Sequence, residues 1–158
     1  MKLKPKKSLG QNFLIDDNVV DIITNLGNIN KNSTILEIGP GTGNLTEKLI
    51  SKKPKRLILV EKDKNLSGNL KRKFNGNVEV INKDFLDLPI TDLKCKNLSI
   101  FGNLPYNVAS EILVKIIKTN ESFYYEKLIF MFQKEVAERI IAKQNTKNYS
   151  CFKDFWYG

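Results

Sequence analysis

An α/β fold, with a mostly parallel sheet and helices on both faces, is what the sequence predicts, and three features predict it. Short, nearly continuous apolar runs recur along the chain, stretches of helical periodicity separate them, and a glycine-rich loop joins the first run to the helix after it. Strands buried on both faces read as continuous apolar runs rather than alternating ones, and the helices between them supply the crossovers that parallel pairing needs.

The elements follow in order. A helix starts near Asp17, an N-cap type of residue, and carries Val19, Ile22, Ile23 and Leu26 on one face. Strands are expected at Thr34–Glu37, Arg56–Val60, Val78–Ile81, Leu98–Phe101 and Leu128–Phe132, with helices over about 43–52, 64–73, 108–119 and 133–143. The helix over 108–119 has the clearest pattern, because Ala109, Ile112, Leu113, Ile116 and Ile117 repeat at i, i+3, i+4, i+7 and i+8. There is no internal repeat, low-complexity tract or interdomain linker. The organisation expected is a basic flexible arm over 1–9, one folded domain over 10–150 and an atypical tail over 151–158.

A single domain of 158 residues buries about two thirds of the surface its unfolded chain exposes, so a real core is possible. Apolar content of 41% and charged content of 27% exclude wholesale disorder. Lysine and arginine number 26 against 17 acids, a net charge of +9 that favours a polyanionic partner such as nucleic acid without choosing RNA over DNA. The same excess also fits a Lys/Asn-rich background that simply solvates the surface.

Histidine is absent, and the two cysteines, Cys95 and Cys151, stand far apart with no Cys-x-x-Cys. That excludes histidine-based general catalysis, histidine-ligated zinc and a disulfide framework, so no metal site is expected and the thiols read as free in a reducing cytosol. The basic start Met1–Lys7 leads into Ser-Leu-Gly-Gln-Asn rather than an apolar signal core. No run approaches the ~18 apolar residues of a membrane span, so a soluble, cytoplasmic protein is expected.

The chemistry sits where strands end. Glu37-Ile38-Gly39-Pro40-Gly41-Thr42-Gly43 closes the first strand and opens the next helix. In an open α/β sheet ligands bind at the carboxyl ends of strands, and glycine there lets backbone N–H groups approach a ligand closely. The residue three after Gly41 is Asn44, so the dinucleotide fingerprint is not met. Glycines spaced G-x-G-x-G after an acid instead form the pattern of S-adenosylmethionine (SAM) enzymes, with Gly39 and Gly41 as cofactor-binding candidates. A tight strand-to-helix turn without a ligand is the plainer alternative.

Glu61 ends the second strand, and a carboxylate there can accept both ribose hydroxyls of an adenosyl group. Asp63 is the neighbouring candidate, and Glu61 is preferred because it stands directly at the strand end. Asp84-Phe85 follows the third strand; its carboxylate can accept the adenine amine while Phe85 and Leu86 pack the ring. The alternative is an Asx turn with a core phenylalanine.

Asn103-Leu104-Pro105-Tyr106 is the most specific motif. An adenine amine is a poor nucleophile because its lone pair is delocalised into the ring. A carboxamide oxygen on Asn103 and a main-chain carbonyl at Leu104, both accepting its hydrogens, let the nitrogen pyramidalise toward a sulfonium methyl. Pro105 stiffens the turn and Tyr106 stacks on a base extruded into the pocket. SAM carries a good neutral leaving group, so alignment and hydrogen bonding suffice without histidine or metal. An ordinary strand-end turn is the alternative.

With these residues the chain resembles the bacterial small-subunit (16S) rRNA adenine N6,N6-dimethyltransferases, over about Lys6 to Tyr149. Ser8-Leu9-Gly10-Gln11-Asn12-Phe13-Leu14, the Glu37–Gly43 loop, Asn103–Tyr106 and Phe132–Arg139 are similar to the family's signatures. The resemblance implies a Rossmann-like SAM-dependent methyltransferase fold in which Asn12, Leu14, Gly39, Glu61, Asp84 and Asn103 contact SAM. Asn103 and Tyr106 then also serve the target base. It implies two methyls placed on each of two adjacent adenines near the 3′ end of small-subunit rRNA, within a pre-30S particle, by a monomer. Leu104 favours this family over the related large-subunit resistance methyltransferases, which more typically carry isoleucine there.

After Ser150 the resemblance ends. The family continues into two antiparallel strands and a small helical RNA-binding domain, whereas this chain reads Cys151 to Gly158. The expectation is a truncated or frameshifted copy, or an incomplete gene product, with Leu128–Phe132 left as an apolar sheet edge. Two alternatives follow: a non-catalytic rRNA-binding or ribosome-assembly module, and an inactive fragment.

Overall fold

The computed structural model describes residues 17–93, 95–104, 108–119, 124–132, 134–140 and 142. The basic arm, Asn12, Leu14, Pro105, Tyr106 and the tail over 151–158 lie outside the described residues. The elements run α1 (Asp17–Leu26), β1 (Thr34–Ile38), α2 (Asn44–Ser51), β2 (Arg56–Val60), α3 (Lys64–Phe74), β3 (Glu79–Ile81), β4 (Leu98–Asn103), α4 (Ala109–Thr119), β5 (Lys127–Met131) and α5 (Lys134–Ile140). Two 3-10 turns, Phe85–Asp87 and Ile90–Leu93, fill the connection from β3 to β4.

The five strands form one sheet in the order β3-β2-β1-β4-β5, and every neighbouring pair is parallel. Side chains alternate across it, so β1 sends Leu36 and Ile38 to one face and Ile35 to the other. On the first face they meet Ile58, Val60, Leu98 and Ile100, covered by Ile112 and Ile116 of α4 and by Phe85, Leu88, Ile90 and Leu93 of the turns. On the second, Leu57, Leu59 and Phe101 pack against Val20 and Ile23 of α1, Leu45 and Leu49 of α2, and Leu70 and Phe74 of α3. Apolar burial on both faces is what requires continuous apolar strands, since neither side of β1 or β4 faces water.

Besides shifted ends, such as β5 at Lys127–Met131 rather than Leu128–Phe132 and α5 at Lys134–Ile140 rather than 133–143, two details differ from the sequence-based expectation. Ile22 and Leu26 of α1 are 62% and 60% exposed, and the helix instead turns Val20, Ile23 and Thr24 inward. Thr24 is suited to burial because its hydroxyl donates to the Val20 carbonyl at 2.7 Å. Gly27 lets the end of the helix close on Phe101, whose ring would lie 2.6 Å from an added Cβ. Second, β4 continues two residues past Phe101. Gly102 pairs with Ile38 of β1, and Asn103 pairs with Met131 of β5.

Among the described residues β5 has a strand on one side only, next to β4. No helix among them is long and apolar enough to cross a membrane.

Candidate SAM-binding edge

The register of the strands aligns their carboxyl ends. Ile38 lies opposite both Val60 and Gly102, and Val60 lies opposite Ile81. The next residue on each strand is therefore Gly39, Glu61, Asn103 and Asn82, and these four stand side by side along one edge. Two backbone bonds fix the level: the Gly39 N–H donates to the Val60 carbonyl and the Glu61 N–H to the Ile81 carbonyl, each at 3.0 Å.

The glycine loop turns at this edge. Gly39, Gly41 and Gly43 have φ of 67°, 59° and 85°, in the left-handed region that side-chain-bearing residues avoid. At Gly43 an added Cβ would also lie 2.8 Å from the Phe74 ring. At Gly39 it would meet, among the described residues, the Asn103 carbonyl oxygen at 3.7 Å, so these residues leave a Cβ-sized space there. The loop is fastened from outside by Lys73, whose ammonium donates to the Thr42 carbonyl at 3.0 Å and pairs with Glu47 at 2.7 Å.

Glu61 reaches across this loop. Its Oε2 accepts the Gly41 N–H at 3.2 Å and its Oε1 the Asp63 N–H at 2.8 Å. It is only 6% exposed. Burial raises its carboxyl above the ordinary value, against the pull of the Asp63 and Gly41 N–H groups. Asp63 serves the next helix instead, where its Oδ1 accepts from the N–H groups of Asn65 and Leu66 and caps α3.

Asp84 caps the first 3-10 turn, with Oδ1 accepting from the Leu86 N–H at 3.0 Å, while Oδ2 pairs with Lys62 at 2.5 Å. Burial pushes its carboxyl up, but Lys62 and the Leu86 N–H outweigh this and hold it below the ordinary value. The Phe85 ring is 3% exposed and lies in the core under β1 and β2. Leu104 likewise sends its side chain into that core, crowding Gly102 so closely that an added Cβ there would lie 2.8 Å from it.

The edge thus gathers Gly39, Gly41, Glu61, Asp84 and Asn103. It leaves the side chains of Phe85 and Leu104 in the core.

Three partners were not foreseen from the sequence. Asn82 donates its side-chain amide to the carbonyls of Glu61 at 2.8 Å and Lys62 at 3.2 Å, fixing the chain beyond β2. Thr46 donates to Glu37 at 2.7 Å, and this acid faces α2 at 2% exposure. Burial pushes the Glu37 carboxyl up to about 8, against the lowering effect of Thr46, so it is largely protonated at neutral pH. Lys115 of α4 reaches the turn after Asp84. Only Lys115 left a sequence signal, as a cation set between Ile112 and Ile116.

The edge carries carboxylate acceptors that fit the hydroxyls and amine of an adenosyl sulfonium cofactor. A buried carboxylate lies beside a glycine loop, a second carboxylate lies one strand further out, and Gly39 brings no Cβ to the end of β1. Residues 2–152 match the family described as ribosomal RNA adenine dimethylase. The ribosomal RNA small subunit methyltransferase A of Pelagibacter ubique is 49% identical over 150 residues, covering 94% of this chain and 57% of that protein. The protein of the same description from a Hydrogenobaculum species is 45% identical, covering 93% and 56%. The chain therefore spans about half the length of these curated relatives. Among solved structures, a dimethyladenosine transferase from Plasmodium falciparum superposes with a TM-score of 0.76 at 30% identity, covering 88% of this chain and 50% of that one. The 23S rRNA methyltransferase ErmE gives 0.69 at 29% identity, covering 81% and 50%.

Proposed function

Since the chain belongs to the ribosomal RNA adenine dimethylase family, we propose that it is a SAM-dependent methyltransferase acting on the exocyclic amine of adenine in small-subunit rRNA. The observation that carries this reading is the strand register that aligns Gly39, Glu61 and Asn103 along one edge. Two adjacent adenines near the 3′ end of that RNA, in a pre-30S particle, are the proposed target, and a cytoplasmic monomer is the proposed form.

Bound SAM supplies an electrophilic methyl on a sulfonium. Glu61 accepts the ribose hydroxyls, and Asp84 accepts the adenine amine of the cofactor in place of its Lys62 contact. Gly39 and Gly41 leave room for the methionine end, and Asn12, Leu14 and Asn103 contact SAM as the family resemblance implies. The Asn103 carboxamide oxygen and the Leu104 carbonyl accept the hydrogens of the target amine, which directs its lone pair at the methyl. Pro105 and Tyr106 hold the base flat. The amine nitrogen would gain the methyl as the S–CH3 bond breaks, its electron pair staying on sulfur to leave a neutral thioether, and the nitrogen would release one proton. A calorimetric titration tests the cofactor site: saturable SAM binding is expected, weakened by Glu61→Ala, and a folded chain that takes up no SAM contradicts the reading.

The net charge of +9 favours one second reading, a non-catalytic rRNA-binding or assembly module. It requires rRNA binding that weakens steeply with salt and survives Asn103→Ala. Absence of rRNA binding at low salt excludes it.

A further inference from the structure

We propose that Lys115 is a positioning residue for the adenine end of the cofactor site, holding the Asp84 turn in place from helix α4. The proposal rests on the reading of Asp84 given above. An ammonium has three hydrogens to donate. Lys115 directs its Nζ at three main-chain carbonyls of one short segment: Phe85 at 3.0 Å, Leu86 at 2.5 Å and Leu88 at 2.7 Å. The same ammonium lies 5.5 Å from the centre of the Phe85 ring.

Carbonyls at the end of a helical turn have no partner within it. Here Lys115, 29 residues from Leu86 in sequence, supplies one to the Leu86 carbonyl, while the Phe85 carbonyl also accepts the Leu88 N–H. The segment is then held at both ends, by Asp84 accepting the Leu86 N–H at its start and by Lys115 at its finish. With both in place the Asp84 carboxylate stands at the edge of the sheet. Lys115 touches neither of the reacting groups. Its helix begins a few residues after Asn103, so a single element links the adenine turn to the strand end bearing the amine-binding residues. Arginine is a poor substitute, because its flat fork of donors does not fit three converging carbonyls.

The test compares S-adenosylhomocysteine with its inosyl counterpart, in which a carbonyl oxygen replaces the adenine amine. Wild type is expected to prefer the adenosyl ligand by about tenfold or more, as a charged acceptor facing the amine implies. Lys115→Met is expected to cut that preference to within about threefold, because the unanchored turn no longer presents Asp84. Lys115→Arg should lie between the two, and it carries the test if the Met variant does not fold. General loosening of the fold weakens both ligands equally, so a variant that keeps the wild-type ratio overturns the proposal. A wild-type chain that binds neither ligand overturns the site reading beneath it, and the proposal with it.

Discussion

The Gly41 N–H donates to Glu61 Oε2 at 3.2 Å, tying the glycine loop to the end of the neighbouring strand. One carboxylate therefore shapes the loop and stands where the proposed ribose contact is made. A substitution at Glu61 should affect the loop and the cofactor together.

Glu61→Gln keeps one acceptor oxygen and loses charge, whereas Glu61→Ala leaves the N–H groups of Gly41 and Asp63 without their acceptor. Hydrogen bonds to a charged group contribute about 1.5–3 kcal/mol, so SAM affinity should drop by roughly tenfold for Gln and further for Ala. Equal affinities for all three chains, measured by calorimetry, would remove Glu61 from the site.

Glu37 makes stability depend on pH. Its pKa is 4.5 in a free chain and about 8 in the fold, so between those values the native state keeps a proton that the unfolded state has released. Stability is greatest below the lower value and falls as pH rises through the upper one, by roughly a few kcal/mol. Glu61 is shifted in the same direction. Glu37→Gln keeps an acceptor for Thr46 without an ionisable group. Urea midpoints between pH 5 and 9 should fall less steeply in this variant than in wild type, and an unchanged slope would be the wrong outcome.

Two glycines should respond oppositely to alanine. At Gly43 the left-handed backbone and the Phe74 ring both oppose a Cβ, at a cost of roughly 1–3 kcal/mol. Gly68 lies inside α3, with no described residue within 4 Å of an added Cβ, so alanine there should stabilise the chain by roughly 0.5–1 kcal/mol. Chemical denaturation of the two variants measures both signs.

The strands are legible in the sequence because Leu57–Val60 is apolar without interruption and Leu98–Phe101 is broken only by Ser99, and that follows from burial on both faces. The end of β4 is not. Gly102 and Asn103 look like loop residues, yet pairing with β1 and β5 extends the strand through them. The buried face of α1 is equally hard to read, because several rotations bury a similar apolar stripe and the choice depends on Gly27 fitting against Phe101. At the site, Glu61 and Asp84 are readable as acids at strand ends. Their partners are less so: Asn82 and Lys62 meet the site only once β2 and β3 are assembled, and Lys115 shows in the sequence only as a cation set between Ile112 and Ile116.

The most direct test is transfer of a radiolabelled methyl from SAM to undermethylated small subunits. Wild type is expected to label the small-subunit RNA, with the label recovered as dimethyladenosine. Asn103→Ala should lose transfer by about a hundredfold or more, as removal of a group acting in the transition state implies. No incorporation by a folded, SAM-binding wild-type chain, or full incorporation by Asn103→Ala, would contradict the account.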